Sequence, residues 1–273
     1  MKVSVNANVN VNVRGGVALV AGTWTRWLSM PVFFFVLAVG WMVPPLTALL
    51  VWTAVAEEGA VGGLQRGELV AYYLALVAVT QLTRTENRYH VGGAIASGQL
   101  NALLLRPLPP LYEALAADVG YTAISLATVL PFVGVLALAL HPALQPEVWQ
   151  ALCFLPALLA AWALSFSWSY GMALLAFWLQ EVGALYGVQS ALTFILAGQM
   201  APVALLPDGL RAAAVLLPFR YMAAFPAEVV TGRLSGEEVV VGLCWQGGWL
   251  VVSVALAVVL WRQGVRRYAA LGG

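Results

Sequence analysis

Between Glu147 and Asp208 the chain carries one charged residue, Glu181. A helix crosses a bilayer with about 20 apolar residues, so a stretch this long has to turn back on itself. Phe177-Trp178-Leu179-Gln180-Glu181 is the expected turn, because it holds the charge and a tryptophan suited to a membrane interface. The rest of the chain has the same character. Of 273 residues 62% are hydrophobic and 9% charged, with a mean hydropathy of +0.88. A soluble domain carries about 25% charged residues, and one of this size still needs a polar shell in water. Lipid is the solvent that removes this need. In lipid the backbone must satisfy its own hydrogen bonds, which leaves helices or closed barrels. The apolar runs are continuous and do not alternate every second residue, so helices are expected.

Six spans fit the pattern: residues 31–56, 68–82, 112–140, 148–175, 182–206 and 239–261. Pro44-Pro45 should kink the first, and Gln81 and Thr83 mark the end of the second. Residues 17–30, with Trp24, Arg26 and Trp27, read as a helix lying in the interface. Residues 1–16 alternate Val and Asn as far as Val13 and read as a disordered tail, or as a wrongly assigned start. The expected fold is an all-α integral membrane protein in which residues 31–273 form one six-helix domain.

Lys and Arg orient such a chain. Lys2, Arg14, Arg26, Arg84, Arg88, Arg106, Arg262, Arg266 and Arg267 fall on one side of a six-span arrangement. Arg66, Arg211, Arg220 and Arg233 fall on the other, together with most of the acids. Both termini are therefore expected in the cytoplasm.

Two connections are unusual. Residues 83–111 begin polar and then turn small and apolar through Gly92-Gly93-Ala94-Ile95-Ala96-Ser97-Gly98-Gln99-Leu100. Pro107, Pro109 and Pro110 should end any helix near Leu105. A short surface helix fits, with Gly98 allowing close approach by another body; a plain amphipathic connector is the alternative. Residues 202–238 are apolar but punctuated by Pro202, Pro207, Pro218 and Pro226. The pieces between, 210–217 and 221–230, are too short to span and suit a re-entrant or interfacial hairpin. Arg220 and Glu228 can pair there, and an exposed pair would contribute little.

Several chemistries are excluded or unsupported. The single lysine, Lys2, leaves no Walker A loop. His90 and His141 fall on opposite sides of the membrane and form no zinc-protease motif, so no metal site is expected. Cys153 and Cys244 sit in apolar runs and read as packing residues. Glu57-Glu58 and Glu237-Glu238 read as solvated loop ends. A net charge of +1 offers nothing to nucleic acid. Ionisable residues inside spans mark ion relays, and only Glu113 and Asp118 qualify, with Arg106 placed to neutralise one of them. Energy is therefore expected from outside the chain. Gln189, Ser190 and Gln199 in the fifth span, and Ser165, Ser167 and Ser169 in the fourth, are candidates to line a path, although helix-to-helix hydrogen bonding is the commoner role of such residues.

From about residue 70 to 273 the chain resembles the ABC type-2 permeases, in particular the six-span branch encoded apart from its ATPase. Three blocks carry the resemblance. They are Ser97-Gly98-Gln99-Leu100 leading to Leu104-Leu105-Arg106-Pro107; Ala176-Phe177-Trp178; and Leu217-Pro218-Phe219-Arg220-Tyr221-Met222 followed by Phe225-Pro226-Ala227-Glu228 and Gly232. The resemblance implies the permease subunit of a bacterial inner-membrane exporter, paired with a second identical or related permease and with a cytoplasmic ABC ATPase. ATP and Mg would belong to that ATPase and no cofactor to this chain. It implies that residues 91–105 form a coupling helix docking on the ATPase, with Ala94, Gly98, Gln99, Leu100, Leu104, Arg106 and Pro107 at the contact. It implies a connecting helix before the first span, and an outer gate formed by Pro218, Phe219, Arg220, Tyr221 and Pro226. The competing reading is an ATP-independent channel or secondary carrier.

Overall fold

The structure, a computed structural model, describes residues 22, 36, 39–40, 42–106, 108–144, 146–179 and 182–270. The expected tail, the interfacial helix and much of the first span lie outside these residues, as does Pro107. The described residues form eleven α-helices and no strand.

Helix α1 (Val43–Val55) begins at the two prolines. Pro44 and Pro45 occupy its first turn, where a missing N–H costs nothing. Residues 36, 39 and 40 before them are also helical, so the prolines follow directly on an earlier helical stretch. Helix α2 (Arg66–Thr83) opens with a reciprocal cap, the Glu68 carboxylate accepting from the Gln65 N–H at 2.7 Å. Its closing residues Gln81 and Thr83 are buried, and Gln81 accepts a hydrogen bond from Ser125 at 3.0 Å. A π-helical turn (Arg88–Gly92) then leads through α3 (Gly93–Ala96) to α4 (Leu100–Leu104).

Among the described residues three helices are long and apolar enough to cross a membrane: α5 (Pro110–Leu140), α6 (Val148–Leu174, continued by a 3-10 turn to Phe177) and α11 (Gly236–Ala270). Helix α11 is much longer than residues 239–261. Its start is fixed by Ser235 and Glu238, which cap one another. Glu237 and Glu238 therefore belong to a helix's first turn and not to a loop.

Helix α7 (Gly183–Leu196) is 14 residues, far short of residues 182–206. It stops because Gly198 is left-handed, φ +76°. The chain then runs through a 3-10 turn (Val203–Leu205) into α8 (Asp208–Leu216), α9 (Phe219–Met222) and α10 (Ala224–Val230).

The main core lies where α2, α6 and the α8–α10 segment meet, around Tyr72, Leu164, Phe225 and Val229. A second cluster lies at the opposite end, where Val91, Ile95 and Leu100 pack with Ala173, Leu174 and Phe177. Helix α11 contacts both. A Cβ on Gly242 would fall 2.1 Å from the Phe225 ring, and one on Gly264 would fall 2.0 Å from the Phe177 ring. Each ring is seated against bare helix backbone.

Candidate functional site

Three regions hold the residues singled out in the sequence. The first is the link from α2 to α5. The backbone leaves α2 extended at Arg84. The Glu86 N–H donates to Asp118 on α5 at 2.7 Å, and the Asn87 amide donates to the Phe166 carbonyl on α6 at 3.1 Å. Arg84 pairs with Glu86 at 2.8 Å, both largely buried, and its guanidinium lies 5.9 Å from the centre of the Tyr121 ring. This polar joint fixes the point at which the link departs. Beyond it Ala94 and Leu100 are buried, whereas Ser97, Gly98, Gln99, Leu104 and Arg106 are exposed. The segment is two short helices broken at Gly98, φ +75°, and not one continuous helix. The Gly98 carbonyl accepts from the Tyr268 hydroxyl at 3.1 Å, which ties the break to the end of α11. Of the two acids expected near Arg106, Glu113 is its partner; Asp118 is met by the Glu86 N–H.

The second region is the α8–α10 segment. Pro218, Phe219, Tyr221 and Pro226 are buried. Arg220 donates two hydrogen bonds to one oxygen of Glu228, at 2.7 and 3.2 Å. This pair is inside the protein, with 16% and 9% of the side chains exposed, and not at the surface as the sequence suggested. The fully buried Gln246 amide on α11 donates to the carbonyls of Tyr221 and Ala157, both at 2.9 Å. Gln246 was not anticipated, because its two partners lie 25 and 89 residues away.

The third region is a cavity of about 320 Å³. Gln189, Ser190 and Gln199 line it, as expected of a path. Thr80 and Thr83 of α2 and Arg84 just beyond that helix also line the cavity, as do Ser165 and Ser169 of α6. Of the six candidates Ser167 alone is not among the lining residues. Its hydroxyl donates to the Ala163 carbonyl at 2.8 Å and accepts from Ser253 of α11 at 2.7 Å, so it joins two helices. Thr80 was missed because a lone threonine in an apolar run carries no signal. Its hydroxyl and the Gln189 side-chain carbonyl are buried without hydrogen-bond partners. The break that closes this site is held from two helices. Tyr72 donates to the Gly198 carbonyl at 3.2 Å and Trp52 to the Met200 carbonyl at 2.9 Å. Among the described residues no cluster of His, Cys, Asp and Glu is arranged to hold a metal ion.

A family model described as "ABC-2 family transporter protein" matches residues 42–272. The chain belongs to the ABC-2 transporter family. The match begins some way before residue 70 and takes in α1, the polar link, the cavity and the α8–α10 segment. A search of the curated proteins gives no match. An ABC-2 membrane protein is a multi-pass transporter subunit, in keeping with the apolar helices described above.

Proposed function

We propose that this chain is the permease subunit of an ATP-driven exporter of the bacterial inner membrane. It has six spans, both termini in the cytoplasm, and an ABC ATPase on a separate polypeptide that binds ATP and Mg. It works beside a second permease subunit, identical or related. The link through residues 91–105 docks on the ATPase, the cavity between α2, α6 and α7 belongs to the export path, and the α8–α10 segment closes its outer mouth. The observation that carries the reading is the form of the link within an ABC-2 family member. Its base is pinned to α5 and α6 by Asp118 and the Phe166 carbonyl, while its tip at Ser97–Gln99 is exposed. Such a lever can receive a push from outside and pass it to α2, which forms one wall of the cavity.

ATP supplies the bias between two states, because a ligand shifts an equilibrium only by its differential affinity for them. Closure of the ATPase dimer displaces the link, α2 moves with it, and the cavity changes its access.

The test is co-expression of the full-length chain with an ABC ATPase encoded beside it, followed by reconstitution into proteoliposomes. The pair should copurify and hydrolyse ATP, and an exposed-tip change such as Gln99→Glu should lower hydrolysis several-fold. Gly98→Trp is a poorer probe, since φ +75° penalises any side chain. Transport without an ATPase, unaffected by ATP, would mean that a channel or secondary carrier is the better description.

A further inference from the structure

The chemistry of the cavity walls limits what can occupy it. No acidic side chain is among its lining residues, and Arg84 is the one cation there. That charge is already balanced by Glu86 at 2.8 Å. Every other polar side chain on the lining is a serine or threonine hydroxyl or a glutamine amide. A charge brought into a low-dielectric site without a partner carries a large desolvation cost, so a cation or anion gains little here. A group that both donates and accepts suits the site. Ser169 on α6 and Gln199 beyond α7 are on this lining and supply a hydroxyl and an amide, each able to donate and to accept. The volume, about 320 Å³, falls at the lower end of small-molecule sites, about 300–1,000 Å³. Phe194 and Met222 add apolar surface to the same lining.

We infer that the cavity binds an uncharged, hydroxyl- or amide-bearing group about the size of one sugar ring, held by lining side chains that include Ser169 and Gln199. This rests on the reading of the cavity as part of the export path. The group is either a small soluble molecule or the head of a lipid.

The experiment measures binding to the full-length chain in nanodiscs with probes that share one octyl tail. They are octyl glucoside, octyl sulfate and octyltrimethylammonium; tail-free methyl glucoside forms the fourth arm. Octyl glucoside should bind at least ten-fold more tightly than either charged probe. Ser169→Ala and Gln199→Leu should each weaken it about five-fold and leave the charged probes unchanged. Methyl glucoside binding as well as octyl glucoside indicates a soluble ligand, and its failure to bind indicates a lipid head. Equal or tighter binding of a charged probe overturns the inference, as does glucoside binding indifferent to both substitutions. Should either variant fail to fold, the probe series on the unaltered chain decides. ATPase copurification is scored separately. Glucoside selectivity without ATPase recruitment removes the export reading and keeps the ligand class; recruitment with a preference for charged probes does the reverse.

Discussion

The α8–α10 segment and the link from Arg88 to Leu104 are both built of short helices between long ones, yet they are held in opposite ways. The first is sunk into the core: Phe225, Ala227 and Val229 are fully buried, Arg220 and Glu228 are paired inside, and Gln246 reaches in from α11. The link has buried anchors at Val91, Ile95 and Leu100, and a tip of exposed residues. Burial makes one segment dependent on internal partners. The other is anchored at its base and tied through the Gly98 carbonyl to Tyr268, while the side chains of Ser97 and Gln99 at its tip stay exposed. The difference teaches that a short, broken helix is not by itself a sign of mobility. What matters is where its polar groups and apolar faces find partners.

The contrast predicts graded effects. Removing half of the Arg220–Glu228 pair leaves a buried charge without its partner, so Glu228→Gln should cost about 3 kcal/mol or more. This should appear as a large drop in thermal unfolding temperature in detergent and in the monodisperse yield. Next, Gly198→Ala should cost about 2–3 kcal/mol, because its Cβ would lie 2.0 Å from the Tyr72 hydroxyl at a left-handed residue. Adding Tyr72→Phe should recover part of that loss, since it removes the clashing oxygen; the unfolding temperature of the double variant checks this. Gln246→Leu should cost about 1–2 kcal/mol, two buried carbonyls losing their extra donor. At the other end of the scale, Leu105→Ala acts on a side chain that is 88% exposed. Stability should stay within about 0.5 kcal/mol, while ATP hydrolysis by the reconstituted complex falls several-fold. A stability loss at Leu105 equal to that at Glu228 would erase the contrast.

Much of the helical pattern was legible in the sequence. Continuous apolar runs set α5 and α6 within a few residues, and the proline spacing marked the pieces of the α8–α10 segment. Local signals could not show the length of α7 or the depth of the Arg220–Glu228 pair. The first depends on a glycine whose conformation is held by Tyr72, 126 residues away. The second depends on packing around the segment, since the same eight-residue spacing would arise at a surface. Of the path residues, Gln189, Ser190 and Gln199 do meet in one cavity, whereas Ser167 faces Ser253. On an apolar helix the sequence gives no indication of which side a serine takes when all sides are apolar. The Arg84–Glu86–Asp118 joint was hidden for a related reason: polar residues after a span read as a wet loop until another helix is seen to cover them.

The two aromatic rings seated on α11 have a mechanical consequence. Gly242 and Gly264 are 22 residues apart, which is about 33 Å of helix rise, close to the thickness of a bilayer's hydrocarbon, about 30 Å. One rod therefore carries a socket for Phe225 near one end and for Phe177 near the other. Sliding either end along the rod, or twisting it, would drive a ring into the side chains that flank its glycine. The rod in this way sets the spacing and the facing of the two clusters that it joins.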